Sequence, residues 1–340
     1  MPRVLITGGG GFIGSHLVDS QLAQGHLVRT VDLHVDRLTH AADHPRLEVV
    51  IGDLVRPELI EQLVDGVDVI YHLASAHLDV NLTDDDYQRV NVEATIGLLK
   101  SAHAAGVSRV VHCSSVGVIG DVKNPPADES SPCNPTNVYE KTKLAGEQAA
   151  LQYAFDTGFP IVVVRPAWVY GPRCPRTEKL FRTIGKGHFV VFGDGQTLRH
   201  PIYVSDAIRG LELCAEISAA AGQIYIIAGD KPVTIETLVS TTSEVLGVRP
   251  PALHLPLPLG KVAGYGLQLA FKPLGRQPPF SRRSLDFFLK DNAYDIGKAQ
   301  RELGFQPQVD LPTGLDRTWQ WLSESKNGQT DTGAEGIKHG

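Results

Sequence analysis

Between Val4 and Arg165 short β-branched runs alternate with longer amphipathic ones, and that alternation leaves few folds open to the chain. Val4–Thr7, His26–Asp32, Leu47–Ile51, Val67–Leu73, Arg109–Cys113 and Pro160–Arg165 read as strands. Phe12–Gln24, Pro57–Val64, Asp84–Ala105 and Pro135–Asp156 read as the helices between them. Ile161-Val-Val-Val164 is apolar at successive positions, as suits a strand covered on both faces. The expectation is an α/β fold, a doubly wound parallel sheet with right-handed crossovers.

After Gly171 the pattern loosens. Short strands are expected at Phe189–Phe192, Thr197–Val204 and Ile224–Ile227. Helices are expected at Val204–Ala220, Ile235–Leu246, Ser281–Lys290, Asp295–Leu303 and Leu311–Ser323, and through the apolar stretch 262–270. This half reads as a smaller, mainly helical C-terminal domain over the carboxyl edge of the sheet, where ligands bind in such folds. The expected division is 1–171, with 197–228 returning to it, for a dinucleotide-binding domain. Residues 172–196 and 229–323 form a substrate domain, and 324–340 a disordered tail.

The 340 residues carry 32 basic and 38 acidic side chains, a net of −6, which argues against a nucleic-acid binder held by its overall field. Cys113, Cys133, Cys174 and Cys214 form no CxxC pair, so neither a disulfide framework nor a structural zinc site is expected. No HExxH pair and no GxSxG elbow supports a zinc or serine hydrolase. The N-terminus lacks signal-peptide features, and no apolar run reaches the roughly 18 residues of a membrane span. A soluble, cytoplasmic protein is expected, with a small-molecule substrate and no nucleic-acid partner.

Thr7-Gly-Gly-Gly-Gly-Phe-Ile-Gly14 lies between the first strand and the first helix. Gly8 permits a tight turn, Gly11 lets backbone approach a pyrophosphate, and Gly14 allows close helix–strand packing, with the phosphates on the helix amides. Asp32 ends the second strand, where a carboxylate can take both hydroxyls of an adenosine ribose and repel a 2′-phosphate. NAD is therefore favoured over NADP, a preference that nearby Arg37 softens. Asp53, in Gly52-Asp-Leu54, is placed either at the adenine amine or as a helix N-cap before Pro57.

Tyr139-Glu-Lys-Thr-Lys143 puts a phenol and an ammonium on one helix face. A phenol near pKa 10 is a poor base, and a nearby cation brings its phenolate into working range. Tyr139 would take the proton from an alcohol while hydride leaves the carbon; Lys143 would lower the Tyr139 pKa and hold the nicotinamide ribose. Alone, such spacing usually marks a solvated helix face. Ser115, ending Val110-Val-His-Cys-Ser-Ser115 at the carboxyl end of a central strand, could meet the substrate oxygen, with Ser114 as the alternative. Asn91 and Thr95 share a helix face, and His72-Leu-Ala-Ser75 ends the fourth strand beside the cofactor path.

Together with Arg165-Pro-Ala-Trp-Val-Tyr-Gly-Pro172, these segments resemble the extended short-chain dehydrogenase/reductase family over residues 3–323. The resemblance implies a Rossmann domain with bound NAD, a Ser115/Tyr139/Lys143 site and a homodimer built on a four-helix contact. It implies cofactor contacts from Gly8, Gly11, Phe12, Ile13, Gly14, Asp32, Asp53, Leu54, Leu73, Ala74, Ser75, Asn91, Lys143 and Pro166. Ser115 is followed by Val116-Gly-Val118, where the sugar dehydratases of the family carry an Asp-Glu pair, so hydride transfer without dehydration is expected. Gly193-Asp-Gly-Gln-Thr-Leu-Arg199 looks like the nucleotide-sugar enzymes, in which the matching Arg pairs with a diphosphate; an interdomain salt bridge is the plainer role for Arg199. Trp168 stands where those enzymes usually have Asn, and the C-terminal half looks like the 3β-hydroxysteroid dehydrogenase branch. Ser115, Trp168 and Arg199 are the expected substrate contacts. The leading expectation is NAD-dependent hydride transfer with an apolar secondary alcohol or ketone; the alternative is a nucleotide-sugar 4-epimerase working through a transient 4-keto sugar.

Overall fold

The computed structural model describes residues 1–77, 82–271 and 282–331. Seven strands form the central sheet: β1 (Arg3–Thr7), β2 (Leu27–Asp32), β3 (Leu47–Ile51), β4 (Val69–His72), β5 (Arg109–Cys113), β6 (Ile161–Pro166) and β7 (Ile224–Ile227). All pair in parallel, in the order β7-β6-β5-β4-β1-β2-β3. Thr7 of β1 lies opposite His72 of β4, which lies opposite His112 of β5. The register therefore brings three strand ends to one edge, where the polar residues of the site collect.

Successive side chains of a strand go to opposite faces, so an apolar strand fills two cores at once. Val4, Ile6, Val111, Val162 and Val164 pack in the cluster with Leu17 and Leu211, from helices Phe12–Ala23 and Val204–Glu216. Leu5, Ile70, Val110 and Ile161 pack in the other, with Leu63, Leu98 and Ala150 from helices Pro57–Val64, Ala94–Ala104 and Val138–Thr157. Full burial of each large side chain contributes about 1.5–3 kcal/mol. A third cluster, with Leu180, Ile184, Val191, Ile235, Leu238 and Phe288, joins helices Pro175–Gly185, Ile235–Leu246 and Arg282–Leu289.

Several expected elements differ in form. The helix expected over Asp84–Ala105 is interrupted by a wide π turn at Arg89–Glu93, where Asn91 turns its side chain to a neighbouring backbone. The strand expected at Thr197–Val204 is two: Leu198–Arg199 pairs antiparallel with Val233–Thr234, and Pro201–Tyr203 pairs in parallel with Trp168–Tyr170. Pro201 has no N–H to continue one ladder. Helix Val138–Thr157 starts after Asn137, whose side chain accepts from the Glu140 amide at 3.0 Å. The last helix, Leu311–Asp331, runs past Ser323, for Ser323-Glu-Ser-Lys-Asn contains no breaker; 332–340 lie outside the described residues. Among the described residues no helix is long and apolar enough to cross a membrane, no group of His, Cys, Asp or Glu could hold a metal ion, and the four cysteines are free.

Candidate active site

The glycine turn after β1 is built for backbone approach. Gly8 has φ +76°, and a Cβ there would lie 2.7 Å from the Ala74 amide nitrogen; one on Gly14 would lie 2.1 Å from the Gly8 carbonyl oxygen. Gly11 caps helix Phe12–Ala23 without a side chain and no acid occupies its first turn, which leaves that end suited to a pyrophosphate. Asp32 accepts from the Gly10 amide at 3.0 Å and the His34 amide at 3.2 Å, so its carboxylate is fixed at the end of β2 beside the turn. Arg37 donates to the Gly10 carbonyl at 3.3 Å. Asp53 is not an N-cap: it accepts from the Val55 amide at 3.1 Å, and Arg56 occupies the cap position. Leu54 is buried; Phe12, Ile13 and Leu73 are partly buried against the core, and Pro166 ends β6. These residues fit a dinucleotide laid along the carboxyl edge of the sheet.

Beneath that edge runs a chain of hydrogen bonds whose direction can be assigned. The Ala74 amide donates to Thr7 Oγ1 at 3.2 Å, and Thr95 Oγ1 donates to the Asn91 carbonyl at 3.0 Å. His72 lies between, 2.7 Å from Thr7 through Nδ1 and 2.9 Å from Thr95 through Nε2. Since Thr95 spends its proton on Asn91, His72 donates from Nε2 and accepts at Nδ1. Burial, then the Lys143 charge, lowers its pKa to about 3, so the ring is neutral.

Asn91 stands behind the site. Its Oδ1 accepts from the Ala76 amide at 2.8 Å and Ser75 Oγ at 3.1 Å, while Nδ2 donates to the Ala76 carbonyl and Thr142 Oγ1. A buried amide used so fully positions the 74–76 segment against the catalytic helix; it has no group to spare for the cofactor contact expected of it.

Ser115 stands beside Tyr139, where its hydroxyl favours the phenolate. Ser115 also accepts from the Gly117 amide at 3.0 Å, which fixes its hydroxyl at the start of a short turn. Ser114 is committed elsewhere: its hydroxyl donates to Glu147 at 2.7 Å, and Glu147 is paired with Arg165 in the core. That decides between the two serines as Tyr139's neighbour. Lys143 is buried and donates to the Cys113 carbonyl at 2.5 Å. Burial pushes the Tyr139 phenol up to about 12, and the Arg176 guanidinium opposes that rise. Sequence spacing does not reveal Arg176 as a neighbour of this site. Arg176 also contacts the His77 ring, which packs edge-on against Tyr139 with centroids 4.7 Å apart.

Arg199 departs furthest from expectation. It is 3% exposed and donates to the carbonyls of Lys290 (2.9 Å), Asp286 (3.0 Å) and Phe287, with its guanidinium 4.5 Å from the Phe287 ring centroid. Strand Leu198–Arg199, paired with Val233–Thr234, turns this side chain onto the C-terminal carbonyls of helix Arg282–Leu289. Its partners are backbone carbonyls, so among the described residues the expected salt bridge is not formed. Burial lowers its pKa to about 10, and it remains a cation. Trp168, half-buried, packs on Tyr170 and Phe287 with centroids 6.1 Å from each.

Residues 4–228 match the model of the NAD dependent epimerase/dehydratase family. The chain belongs to that family. It is an NAD-dependent enzyme of the extended short-chain dehydrogenase/reductase type. It is 32% identical over 322 residues to the 3 beta-hydroxysteroid dehydrogenase/Delta 5-->4-isomerase of Mycobacterium tuberculosis, covering 90% of this chain and 86% of the relative. It is 28% identical over 323 residues to the N-acetyl-alpha-D-glucosaminyl-diphospho-ditrans,octacis-undecaprenol 4-epimerase of Escherichia coli O157:H7, covering 94% and 95%. The dTDP-glucose 4,6-dehydratase DesIV of Streptomyces venezuelae, crystallised with NAD, superposes with a TM-score of 0.79 at 29% identity, covering 96% of this chain and 98% of that one. The fold expected from the strand–helix alternation is that of these enzymes.

Proposed function

We propose that this family member transfers hydride between NAD and an apolar secondary alcohol or its ketone, in the manner of a 3β-hydroxysteroid dehydrogenase. The observation that carries the reading is the commitment of Arg199. A cation held by three carbonyls and an aromatic ring is not available to a diphosphate, and its neighbours Phe287 and Trp168 suit an apolar substrate. The match to the mycobacterial hydroxysteroid dehydrogenase supports it.

On this reading residues 1–171 with 197–228 hold the dinucleotide, and 172–196 with 229–323 shape the substrate. Gly8, Gly11 and Gly14 admit the pyrophosphate, Asp32 takes the adenosine ribose, and Lys143 the nicotinamide ribose. NAD, when bound, accepts or returns the hydride. Tyr139 removes the substrate hydroxyl proton in oxidation and returns it in reduction, while Ser115 hydrogen-bonds the same oxygen. With the phenol at about 12, the oxidative direction should quicken as pH rises, because the phenolate fraction grows. The homodimer would use helices Ala94–Ala104 and Val138–Thr157, the latter exposing Phe155.

The test is NADH formation from NAD with a panel of 3β-hydroxysteroids, beside calorimetric titration of UDP into the NAD-loaded protein. Steroid-dependent NADH is expected, about 10²–10⁴-fold slower in Tyr139→Phe with NAD affinity retained. Micromolar UDP binding, with interconversion of UDP-hexose epimers and no steroid turnover, would replace this reading with the 4-epimerase.

A further inference from the structure

A buried phenol works as a base only when positive charge close by favours its phenolate. Around Tyr139, Cys113 from β5 and Glu140 from its own helix act the other way, and Ser115 helps with a hydroxyl but no charge. Lys143, one turn along the same helix, donates to the Cys113 carbonyl at 2.5 Å. Arg176 comes from far along the chain, exposed on the first turn of helix Pro175–Gly185. Its guanidinium has only N–H groups to offer, so it donates to His77 Nε2, which accepts. The accepting ring packs edge-on against Tyr139, with 4.7 Å between centroids. His77 thus holds the guanidinium at the site, and its charge is felt at the phenol.

The start of that helix is fixed from the glycine-turn side. His16 Nε2 donates to the Pro172 carbonyl at 2.9 Å, and Arg173 pairs with Asp19. His16 and Asp19 both belong to helix Phe12–Ala23, which begins at the glycine turn. Arg173 has φ 65°, alone among the described non-glycine residues in the left-handed region. The chain therefore makes a strained turn there, and the ion pair with Asp19 holds it. We propose that Arg176, held by His77, is a positioning residue for the proton transfer, setting a positive charge beside Tyr139 from the segment after Gly171. The phenol then has this charge only while that segment is seated on helix Phe12–Ala23. The inference rests on Tyr139 being the base, as proposed above.

The experiment reads Tyr139 directly, without substrate or NAD. The full chain is labelled with fluorotyrosine, whose phenol is more acidic than that of tyrosine, and its fluorine NMR spectrum is titrated through alkaline pH. The resonance absent from Tyr139→Phe belongs to Tyr139. Arg176→Gln should raise its midpoint by about half to one pH unit, which is about three- to tenfold less phenolate below the midpoint. Arg176→Lys, which keeps the charge, should recover most of that shift. His77→Phe keeps a ring against Tyr139 but loses the acceptor, so it should shift the midpoint the same way. Added to Arg176→Gln, it should move the midpoint no further. Arg176 is exposed, so thermal unfolding of Arg176→Gln should be unchanged. An unmoved midpoint in Arg176→Gln, a lysine variant that behaves as the glutamine one, or shifts of Arg176→Gln and His77→Phe that simply add would overturn the proposal. With a steroid substrate, Arg176→Gln should slow oxidation about three- to tenfold at neutral pH, with KM unchanged and the rate recovering as pH rises. The titration needs no turnover, so a failed dehydrogenase assay and a failed titration remain separate results.

Discussion

Replacing His112 with leucine should make the protein more stable, and more so in mild acid. The ring is 1% exposed on β5, beside the His72 ring at 5.3 Å between centroids, and among the described residues neither of its nitrogens has a hydrogen-bond partner. An unpartnered buried polar group costs about 1–3 kcal/mol, whereas leucine of similar volume carries no such cost. His112→Leu should therefore gain about 1–2 kcal/mol at about pH 7.5. Burial, then the Lys143 charge, holds the His112 pKa well below 6.5. As pH falls the unfolded chain takes up this proton while the folded chain does not. The native stability is thus complete above 6.5 and drains away below it, by about 1.4 kcal/mol for each pH unit. At about pH 5.5 the advantage of the leucine should have grown by a further ~1.4 kcal/mol. Urea unfolding of both proteins at the two pH values measures it, with an unchanged slope confirming that the same surface is exposed. His16, lowered to about 4 by burial, and His72 titrate equally in both proteins and cancel in the difference. A leucine variant less stable at both pH values, by the same amount, would refute the reasoning, because His112 would then be well partnered and would not titrate as described.

Two further substitutions separate the roles assigned in the site. Ser115→Ala should lower kcat about 10–100-fold, with about 0.5–1 kcal/mol lost with its cap on the Gly117 amide, while Ser114→Ala should keep kcat within about twofold and cost about 1–2 kcal/mol, since Glu147 loses a buried donor. Steady-state kinetics and chemical denaturation read both, and the opposite pattern would exchange the two serines. Asp32→Ala should weaken NAD roughly tenfold and narrow its advantage over NADP, by removing two charge-assisted hydrogen bonds to the ribose. Fluorescence titration with each dinucleotide checks this; an unaltered ratio would take Asp32 off the ribose.

What the amino-acid sequence determined by itself was whatever depends on near neighbours along the chain. Ile161-Val-Val-Val164 needs apolar layers on both faces, and the chain supplies a helix between successive strands, so the doubly wound sheet follows from pattern and covalent reach. Gly8 and Gly14 are required by turn geometry within a few residues, and Tyr139 and Lys143 share a face because a helix repeats. Tertiary structure decided where polar groups with several possible partners spend their hydrogen bonds. Ser114 and Ser115 are adjacent, yet one faces Glu147 in the core and the other Tyr139, because the backbone just past β5 stays extended and alternates its sides. Arg199 sits in a motif suited to a diphosphate, but the carbonyls at the end of helix Arg282–Leu289 lie nearly ninety residues on and take its guanidinium first. Asn91 is consumed by the Ala76 backbone and Thr142, and Arg176 reaches Tyr139 from a helix that no local spacing connects to it. A donor pairs with whatever acceptor the packed fold brings within 3 Å or so, and that neighbour is set by the whole chain.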